Sequence, residues 1–219
     1  MPSSPNPPGN QWRIKEWFPE LELPAQEKLR LYNEELQKFN RTLNLVSVKT
    51  LAFADVIHFA DSIIACKAIH EDNTKIDRIF DLGSGNGFPG IVFALLYPKV
   101  QVVLVDGDQK KCEFMKHCVD ALEMTNVQIM NTTIEGLEPG SVKYCMARGL
   151  GSISKSILMT RKTVPVGGVF YHLKGESWSA EVGEIPTQLC SVWAPALVID
   201  YKLPIGPVRF AVVKTDKIA

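Results

Sequence analysis

The chain has 219 residues, of which 46% are hydrophobic and 22% are charged, proportions typical of a soluble globular protein with one main domain. Its 24 basic and 24 acidic side chains give a formal net charge of +0, so overall charge does not indicate a nucleic-acid partner. No apolar run is long enough to span a membrane, and the N-terminus lacks the apolar segment of a secretory signal. We therefore expect a cytoplasmic protein without a membrane partner.

Five cysteines and four histidines are scattered along the chain without the pairwise spacings of a zinc site. An odd number of cysteines also argues against a disulfide framework. The sequence therefore predicts no metal.

The N-terminal third divides into a leader and a helical cap. Residues 1–11 are rich in Pro, Ser, Asn and Gly and are predicted to be disordered. Residues 12–75 contain two helical patterns, AQEKLRLYNEELQKF and LAFADVIHFADSIIACKAI, joined by a polar connector. The first pattern has one apolar stripe, formed by Leu29, Tyr32, Leu36 and Phe39.

From residue 76 to residue 219, short β-rich runs alternate with helical patterns. This alternation predicts a parallel sheet with right-handed crossovers. The candidate strands are DRIFDL, VQVVLVD, VQIMNT, KYCMAR and GGVFYHLK. Two further runs, ALVIDYKL and VRFAVVKT, flank a Pro/Gly turn and predict an antiparallel pair that closes the sheet.

The stretch DLGSGNGFPG lies where the first strand passes into the first helix, and two cofactors compete for it. Its glycines allow a tight turn, and the helix N-terminus offers unpaired N–H groups to a ligand. Gly85, Gly87 and Gly90 match the dinucleotide fingerprint GxGxxG, and Asp106 ends the next strand, where an acid would bind a ribose. The stretch also resembles the DxGxGxG loop of S-adenosylmethionine-dependent methyltransferases, with Asp81 as the acid.

The rest of the chain favours the methyltransferase over a dehydrogenase. Too few residues follow the fourth strand for a second nucleotide-binding half, and no Tyr-xxx-Lys pair occurs there. Parallel strands that end in an antiparallel pair resemble the class I S-adenosylmethionine-dependent methyltransferase fold. We therefore predict an α/β, Rossmann-like domain at residues 76–219, with a mostly parallel seven-stranded sheet, an antiparallel last strand and an N-terminal helical cap.

Five motifs narrow the resemblance to one family. FNRTLNLVS, HFADSI, DLGSGNGFPGI, VDGDQKKCEFMK and ARGLGSI occur in the same order as in the bacterial 16S ribosomal RNA guanine-N7 methyltransferases, also called glucose-inhibited division protein B. The resemblance covers about residues 25–215. It implies transfer of a methyl group from S-adenosylmethionine to N7 of a guanine in 16S ribosomal RNA or the small ribosomal subunit.

The resemblance also implies the residues that bind the cofactor. Carried over by position, they are Gly83, Phe88, Ile134, Glu135 and Arg148, and the fold-wide pattern adds Asp81, Gly85, Gly87 and Asp106. Arg148 is also the candidate catalytic residue. The chain departs from the family by having Ile134 in place of the usual Ala, and Ala147-Arg148-Gly149 in place of the usual Ser-Arg-Ala.

The acceptor can also be considered from chemistry. An Asn-Pro-Pro-aromatic element for exocyclic amines is missing after the fourth strand, and no Pro-Cys dipeptide could supply a nucleophile for carbon methylation. Guanine N7 has a lone pair and no proton, so in-line displacement there requires positioning and no general base. A methyltransferase acting on a protein or small molecule, and a non-catalytic cofactor-binding or RNA-binding module, remain alternatives.

Basic residues from several connectors and strand ends are expected to form the RNA-binding surface. They are Arg41, Lys110, Lys111 and Lys174, together with Arg148.

Other polar and aromatic residues have simpler interpretations. His58 and Asp61 lie three residues apart on a helix and are expected to pair with each other. Asn44 is expected to hydrogen-bond its own backbone as a cap. Trp178 and Trp193 are expected in the core or an interface. We expect a monomer.

Overall fold

A computed structural model describes residues 11–219, so the predicted leader lies, apart from Gln11, outside the described residues. The helices are α1 (Ile14–Trp17), α2 (Leu23–Leu43), α3 (Val48–Leu51), α4 (Asp61–Asp72), α5 (Gly90–Leu96), α6 (Gln109–Ala121), α7 (Ile153–Thr160), α8 (Trp178–Gly183) and α9 (Thr187–Cys190). The strands are β1 (Arg78–Leu82), β2 (Gln101–Asp106), β3 (Val127–Asn131), β4 (Tyr144–Arg148), β5 (Val169–Lys174), β6 (Trp193–Lys202) and β7 (Arg209–Lys217). None of these helices is both long enough and apolar enough to cross a membrane.

The seven strands form one sheet in the order β3-β2-β1-β4-β5-β7-β6. Strands β1 to β5 pair in parallel, whereas β7 is antiparallel to both β5 and β6. The predicted sheet, mostly parallel with an antiparallel last strand, is therefore confirmed. All parallel strands place their carboxyl ends at one edge, where such sheets bind ligands.

The second helical pattern of the cap is interrupted, which the sequence does not predict. A turn follows α3, and the residues Asp55–Ala60 then form a π-helix that leads into α4. The wider turn is visible where the Asp61 N–H bonds to the Val56 carbonyl, five residues earlier. Such π segments occur often at functional sites. Here the segment carries Ile57 and His58, which contact the functional site.

The cap shares its core with the sheet. Leu29, Tyr32 and Leu36 of the predicted α2 stripe are fully buried, in the same apolar cluster as Ile91 of α5 and Phe114 of α6. The helices before β1 therefore cover one face of the sheet and have no separate core. The division into residues 12–75 and 76–219 as domains stays a prediction.

Arg13 fixes the start of the cap against the π-helix. Its Nε and Nη2 donate to the two oxygens of Asp55 at 2.8 and 3.0 Å, and its backbone N–H donates to Oδ2 at 3.2 Å. The Asp55 side chain is completely buried, whereas 19% of the Arg13 side chain is exposed. This bidentate pair compensates the desolvation of the carboxylate.

Replacing Arg13 by Ala should destabilise the protein by about 3 kcal/mol, because it leaves the Asp55 carboxylate buried without its cation. Urea unfolding of wild type and variant measures this difference. Arg30→Ala is the matched control, since Arg30 pairs with Glu34 at the surface, with 68% and 54% of the side chains exposed. Equal losses in the two variants would contradict the structural role of the Arg13–Asp55 pair.

Candidate active site

The glycine loop, residues 83–89, connects β1 to α5 at the carboxyl edge of the sheet. Gly83, Gly85 and Gly87 have φ of +71°, +60° and +92°, in the left-handed region that favours glycine. At Gly87 there is also no space for a side chain, because a Cβ atom there would lie 2.7 Å from the Tyr32 hydroxyl oxygen. The loop therefore adopts its shape through the glycines that the sequence pattern singles out.

Asp81 lies beneath the loop and holds the start of α5. Its Oδ2 accepts a hydrogen bond from the Gly90 N–H at 2.9 Å, while its Oδ1 is buried without a partner among the described residues. Burial raises the pKa of Asp81 to about 7, and the Gly90 hydrogen bond and the Arg148 charge oppose that rise. A buried acceptor without a donor is costly. A cationic N–H donor at this position would stabilise the carboxylate.

Asp106 ties the loop to the end of β2. Its Oδ2 accepts from the Gly85 N–H at 2.8 Å, and its Oδ1 accepts from the Asp108 N–H at 2.9 Å. The side chain is half-buried. Because a carboxylate offers about four acceptor sites, the hydroxyl groups of a ribose could still bind to it.

The cap reaches the loop through Tyr32 of α2. Its hydroxyl donates to the Asn86 carbonyl at 2.5 Å, and its ring stacks on Phe88 with the centroids 4.8 Å apart. Phe88 is predicted to bind the cofactor, but the residue is only 2% exposed and its side chain lies in the core. The Arg148 guanidinium lies 5.3 Å from the centre of this ring. The Phe88 side chain therefore supports Arg148, and its backbone remains for a cofactor contact.

Arg148 ends β4 and is held by the cap. Its Nη1 donates to the Ile57 carbonyl and to Asp61 Oδ2, each at 3.2 Å, and its Nη2 lies 3.2 Å from His58 Nδ1. The side chain is 20% exposed. A guanidinium carries five N–H groups, so Nε and one N–H of Nη2 have no partner in residues 11–219.

His58 and Asp61 do not pair with each other, contrary to the expectation from their spacing. Both contact Arg148, and Asp61 Oδ1 also accepts from the Tyr201 hydroxyl at 2.7 Å. Burial, with a smaller effect of the Arg148 charge, lowers the pKa of His58 to about 3. The ring is therefore neutral. Because arginine only donates, Nδ1 accepts and Nε2 carries the proton, buried without a partner among the described residues.

The predicted contacts after β3 lie in a short 3-10 turn, Ile134–Gly136. Ile134 is buried and Glu135 is exposed. The turn lies near the end of β2, because a Cβ atom on Gly107 would be 3.8 Å from the Thr133 side chain. Asp106 and the backbone of Ile134 therefore border the same part of the carboxyl edge.

The five predicted RNA-binding residues fall into two groups. Arg41 and Lys110 are exposed and Lys111 is half-buried, and none of them forms an ion pair within residues 11–219. Lys174 instead lies 2.8 Å from Glu181, with 10% of its side chain exposed, and Arg148 pairs with Asp61. Their charges are therefore compensated inside the protein.

Asn44 ends α2 by its conformation, with φ of +48°. Its side chain makes no hydrogen bond within residues 11–219, so the expected side-chain cap is not present there.

Trp193 is buried and Trp178 is half-buried, and both pack in the apolar cluster on the other face of the sheet. Among the described residues, no group of three or more His, Cys, Asp or Glu side chains could hold a metal.

A cavity of about 340 Å³ opens beside Arg148 at the carboxyl ends of β4 and β5. Asp61, Gly149, Lys174, Glu181 and Phe210 contribute to its walls.

Two residues of the site, Tyr32 and Glu181, are absent from the sequence-based set of site residues. The position of Tyr32 on the apolar stripe of α2 could have indicated its role, since a buried hydroxyl needs a hydrogen-bond partner. No local pattern marks Glu181.

Comparisons with known proteins agree with this arrangement. The family model GidB, rRNA small subunit methyltransferase G, matches residues 25–196. Ribosomal RNA small subunit methyltransferase G 3 of Bdellovibrio bacteriovorus is 66% identical over 95% of this chain and 94% of its own length. Ribosomal RNA small subunit methyltransferase G of Halorhodospira halophila is 30% identical over 81% of this chain and 82% of its own length.

Solved structures share the fold at low identity. YcgJ of Bacillus subtilis superposes with a TM-score of 0.56 at 12% identity, over 71% of this chain and 99% of that one. A Burkholderia thailandensis 1,6-didemethyltoxoflavin-N1-methyltransferase, solved with bound 1,6-didemethyltoxoflavin and S-adenosylhomocysteine, gives a TM-score of 0.57 at 13% identity, over 91% of this chain and 92% of that one.

The predictions of the family and of methyltransferase activity are therefore confirmed. The family model covers most of the chain, and the relatives match over nearly their full lengths. This chain belongs to the GidB family, rRNA small subunit methyltransferase G.

Proposed function

We propose that the protein transfers a methyl group from S-adenosylmethionine to N7 of a guanine in 16S ribosomal RNA, in the cytoplasm. One observation supports this most directly: Arg148 is fixed between the glycine loop and an open cavity at the carboxyl edge of the sheet. A cofactor on the loop and an acceptor base in the cavity would therefore meet beside Arg148.

The residues at this edge fit the parts of the cofactor. The free acceptor sites of Asp106 suit the ribose hydroxyl groups, and the buried Asp81 carboxylate beneath the loop would attract the ammonium group through its charge. The two N–H groups of Arg148 without a partner suit the carboxylate. We assign the adenine to the backbone of Ile134 and Glu135, which borders Asp106. Gly83, Gly85 and Gly87 let the loop backbone approach the ligand.

When bound, S-adenosylmethionine supplies a methyl group on a positively charged sulfur. Arg148 orients the reactants, since it is held by Asp61, His58 and the Ile57 carbonyl before any ligand binds. Guanine N7 has no proton to lose, so no residue has to act as a general base. His58 agrees with this, because its Nδ1 is occupied by Arg148 and its lowered pKa keeps the ring neutral.

RNA would be held mainly by cations at the rim of the site. Arg41, Lys110 and Lys111 have no ion pair within the described residues, so they can neutralise phosphates. Phe39 of α2 packs on Phe114 of α6, with ring centroids 5.5 Å apart, which brings together the two helices that carry these cations. A monomer could present this surface.

The activity is tested by nucleoside mass spectrometry of 16S ribosomal RNA from cells with and without the gene. We expect one N7-methylguanosine to disappear on deletion and to return when the wild-type gene is supplied. A variant with Arg148→Ala should not restore it. An unchanged level of N7-methylguanosine would exclude the proposed activity and favour another acceptor or a non-catalytic binding module.

Asp106→Ala should weaken binding of S-adenosylhomocysteine by about 1.5–3 kcal/mol, because it removes the charged acceptor for the ribose. Isothermal titration calorimetry measures this loss. Asp120→Ala is the control, since Asp120 lies at the other end of α6 and pairs only with Lys116 among the described residues. Asp106→Asn keeps an oxygen for the Gly85 N–H, so it separates support of the loop from ribose binding. Wild-type affinity in Asp106→Ala would overturn the assignment.

Replacing Lys110 and Lys111 together by Ala should flatten the dependence of log RNA affinity on log salt. The slope should change by about 0.7 for each single-stranded phosphate that is no longer neutralised, or by about 0.9 in a duplex. Affinity for S-adenosylhomocysteine should stay near that of wild type. Lys99→Ala with Lys143→Ala is the matched control, because these exposed lysines lie at the amino ends of β2 and β4. An unaltered slope, or equal flattening in the control, would disprove this RNA surface.

A further inference from the structure

Lys174 and Glu181 form an ion pair in the wall of the cavity beside Arg148. Their Nζ and Oε2 atoms are 2.8 Å apart, and 10% and 20% of the two side chains are exposed. Lys174 ends β5, and Glu181 reaches it from α8. The pair therefore lies at the carboxyl edge and lines the same cavity as Asp61.

The pair is only partly satisfied inside the protein. The Oε2 atom of Glu181 contacts Lys174 and accepts from the Ile153 N–H at 3.1 Å, whereas Oε1 has no partner among residues 11–219. Lys174 donates to the Gly151 carbonyl and forms an ion pair with Glu181. An ammonium has three N–H groups, so at least one donor remains after both contacts. One acceptor and one donor thus remain side by side in a concave wall.

The loop after β4 connects this wall to the cofactor loop. Leu150 packs against Gly83, since a Cβ atom on Gly83 would lie 3.0 Å from the Leu150 side chain. Gly149 and Gly151, on either side of Leu150, line the cavity. A base in the cavity would therefore be adjacent to the ligand on the glycine loop. The volume of about 340 Å³ falls within the range of small-molecule sites, roughly 300–1,000 Å³.

The remaining acceptor and donor are complementary to guanine. The Watson–Crick edge of guanine presents the N1–H and N2–H donors next to the O6 acceptor, and enzymes that modify bases recognise a flipped base by this edge. Adenine presents an acceptor at N1 and a donor at its 6-amino group. Its acceptor would therefore face the Glu181 acceptor, and its donor would face the Lys174 donor. N7 lies on the other side of O6 and remains free for methylation.

We propose that Glu181 and Lys174 select the base to be methylated: Oε1 of Glu181 accepts from both N1–H and N2–H of guanine through its two acceptor sites, and Lys174 donates to O6. This inference rests on the proposed function, because it names how the same site recognises its acceptor. Glu181 is a specificity-determining residue in this proposal. It does not take part in methyl transfer.

The test compares guanosine with inosine at the methylated position in 16S ribosomal RNA assembled by splinted ligation. Inosine lacks only the 2-amino group and keeps N1–H, O6 and N7. We expect wild-type enzyme to methylate the inosine substrate with a kcat/KM about tenfold to a hundredfold lower, the range for removing one base-edge interaction. Equal kcat/KM for both bases would overturn the proposal without any variant, while N7 methylation itself would stand.

Glu181→Gln tests the residue directly. If Glu181 binds the 2-amino group, this variant should lose rate mainly on guanosine, so that the guanosine-to-inosine ratio falls toward one. If Glu181 only holds Lys174 and the start of α7, both substrates should lose rate equally and the ratio should stay at the wild-type value, which would refute the proposal. Glu184→Gln is the matched control, because Glu184 is exposed on the same segment and does not line the cavity.

Failure of the proposed function gives a different result. If wild-type enzyme does not methylate N7 of guanosine in this RNA, the reaction itself is wrong, and the selection of guanine by this pair falls with it. Loss of discrimination with retained methylation affects only the assignment of Glu181 and Lys174. Thermal unfolding of each variant, with and without S-adenosylhomocysteine, shows whether the fold and the cofactor site are intact.

Discussion

Side-chain hydrogen bonds to Asp81, Asp106 and Tyr32 help to hold the glycine loop in place, and the rest of the site depends on them. Asp81 binds its far end from below, Asp106 binds its middle from the side, and the Tyr32 hydroxyl binds the Asn86 carbonyl from the cap. A loop with three left-handed glycines loses much backbone entropy on folding. These hydrogen bonds offset that cost and fix the shape of the loop. Without them, neither Phe88 nor Leu150 would have a fixed surface to pack on.

Two of these contacts are carboxylates in different surroundings. Asp81 is completely buried, and burial raises its pKa to about 7. Near neutral pH, a charge close to Asp81 therefore changes the fraction of the carboxyl group that is protonated. Asp106 is half-buried and already accepts two backbone N–H groups. A ligand with a cationic end would lower the pKa of Asp81 and favour its charged form. The ribose of the cofactor needs acceptors for its hydroxyl groups, and the Asp106 carboxylate supplies them.

The cap is part of the site because it fixes Arg148. A lone arginine at a strand end would sample many rotamers, and ordering it would cost about 2 kcal/mol of side-chain entropy. Asp61, His58 and the Ile57 carbonyl remove that freedom before a ligand arrives, and the Phe88 ring supports the guanidinium from one side. The π-helix carries two of these contacts, the Ile57 carbonyl and His58. The cap therefore preorganises the edge of the sheet.

The sequence predicts the local features well and the long-range pairings poorly. Strands, their order of alternation and the glycine loop follow from hydrophobic periodicity and backbone requirements, which depend on neighbours in the chain. His58 and Asp61 find partners 90 and 140 residues away, and Lys174 finds its partner in another element, so spacing on a single helix carries no information about them. Phe88 is placed in the loop correctly, but the side of the loop that its ring occupies depends on Tyr32.

The ion pairs of the site separate two tasks that a chain without net charge has to combine. One task is recognition of the base and the cofactor, and the other is attraction of RNA phosphates. Cations that are compensated by acids, Arg148 with Asp61 and Lys174 with Glu181, lie at the centre of the edge, where geometry decides which base and which ligand fit. Cations without an ion pair in the described chain, Arg41, Lys110 and Lys111, lie on α2 and α6, where they can attract phosphates of any sequence. Salt screens the second group strongly and the first group weakly. Affinity for RNA should therefore depend on ionic strength, while the choice of guanine should not, because it depends on hydrogen bonds inside a concave and partly desolvated wall.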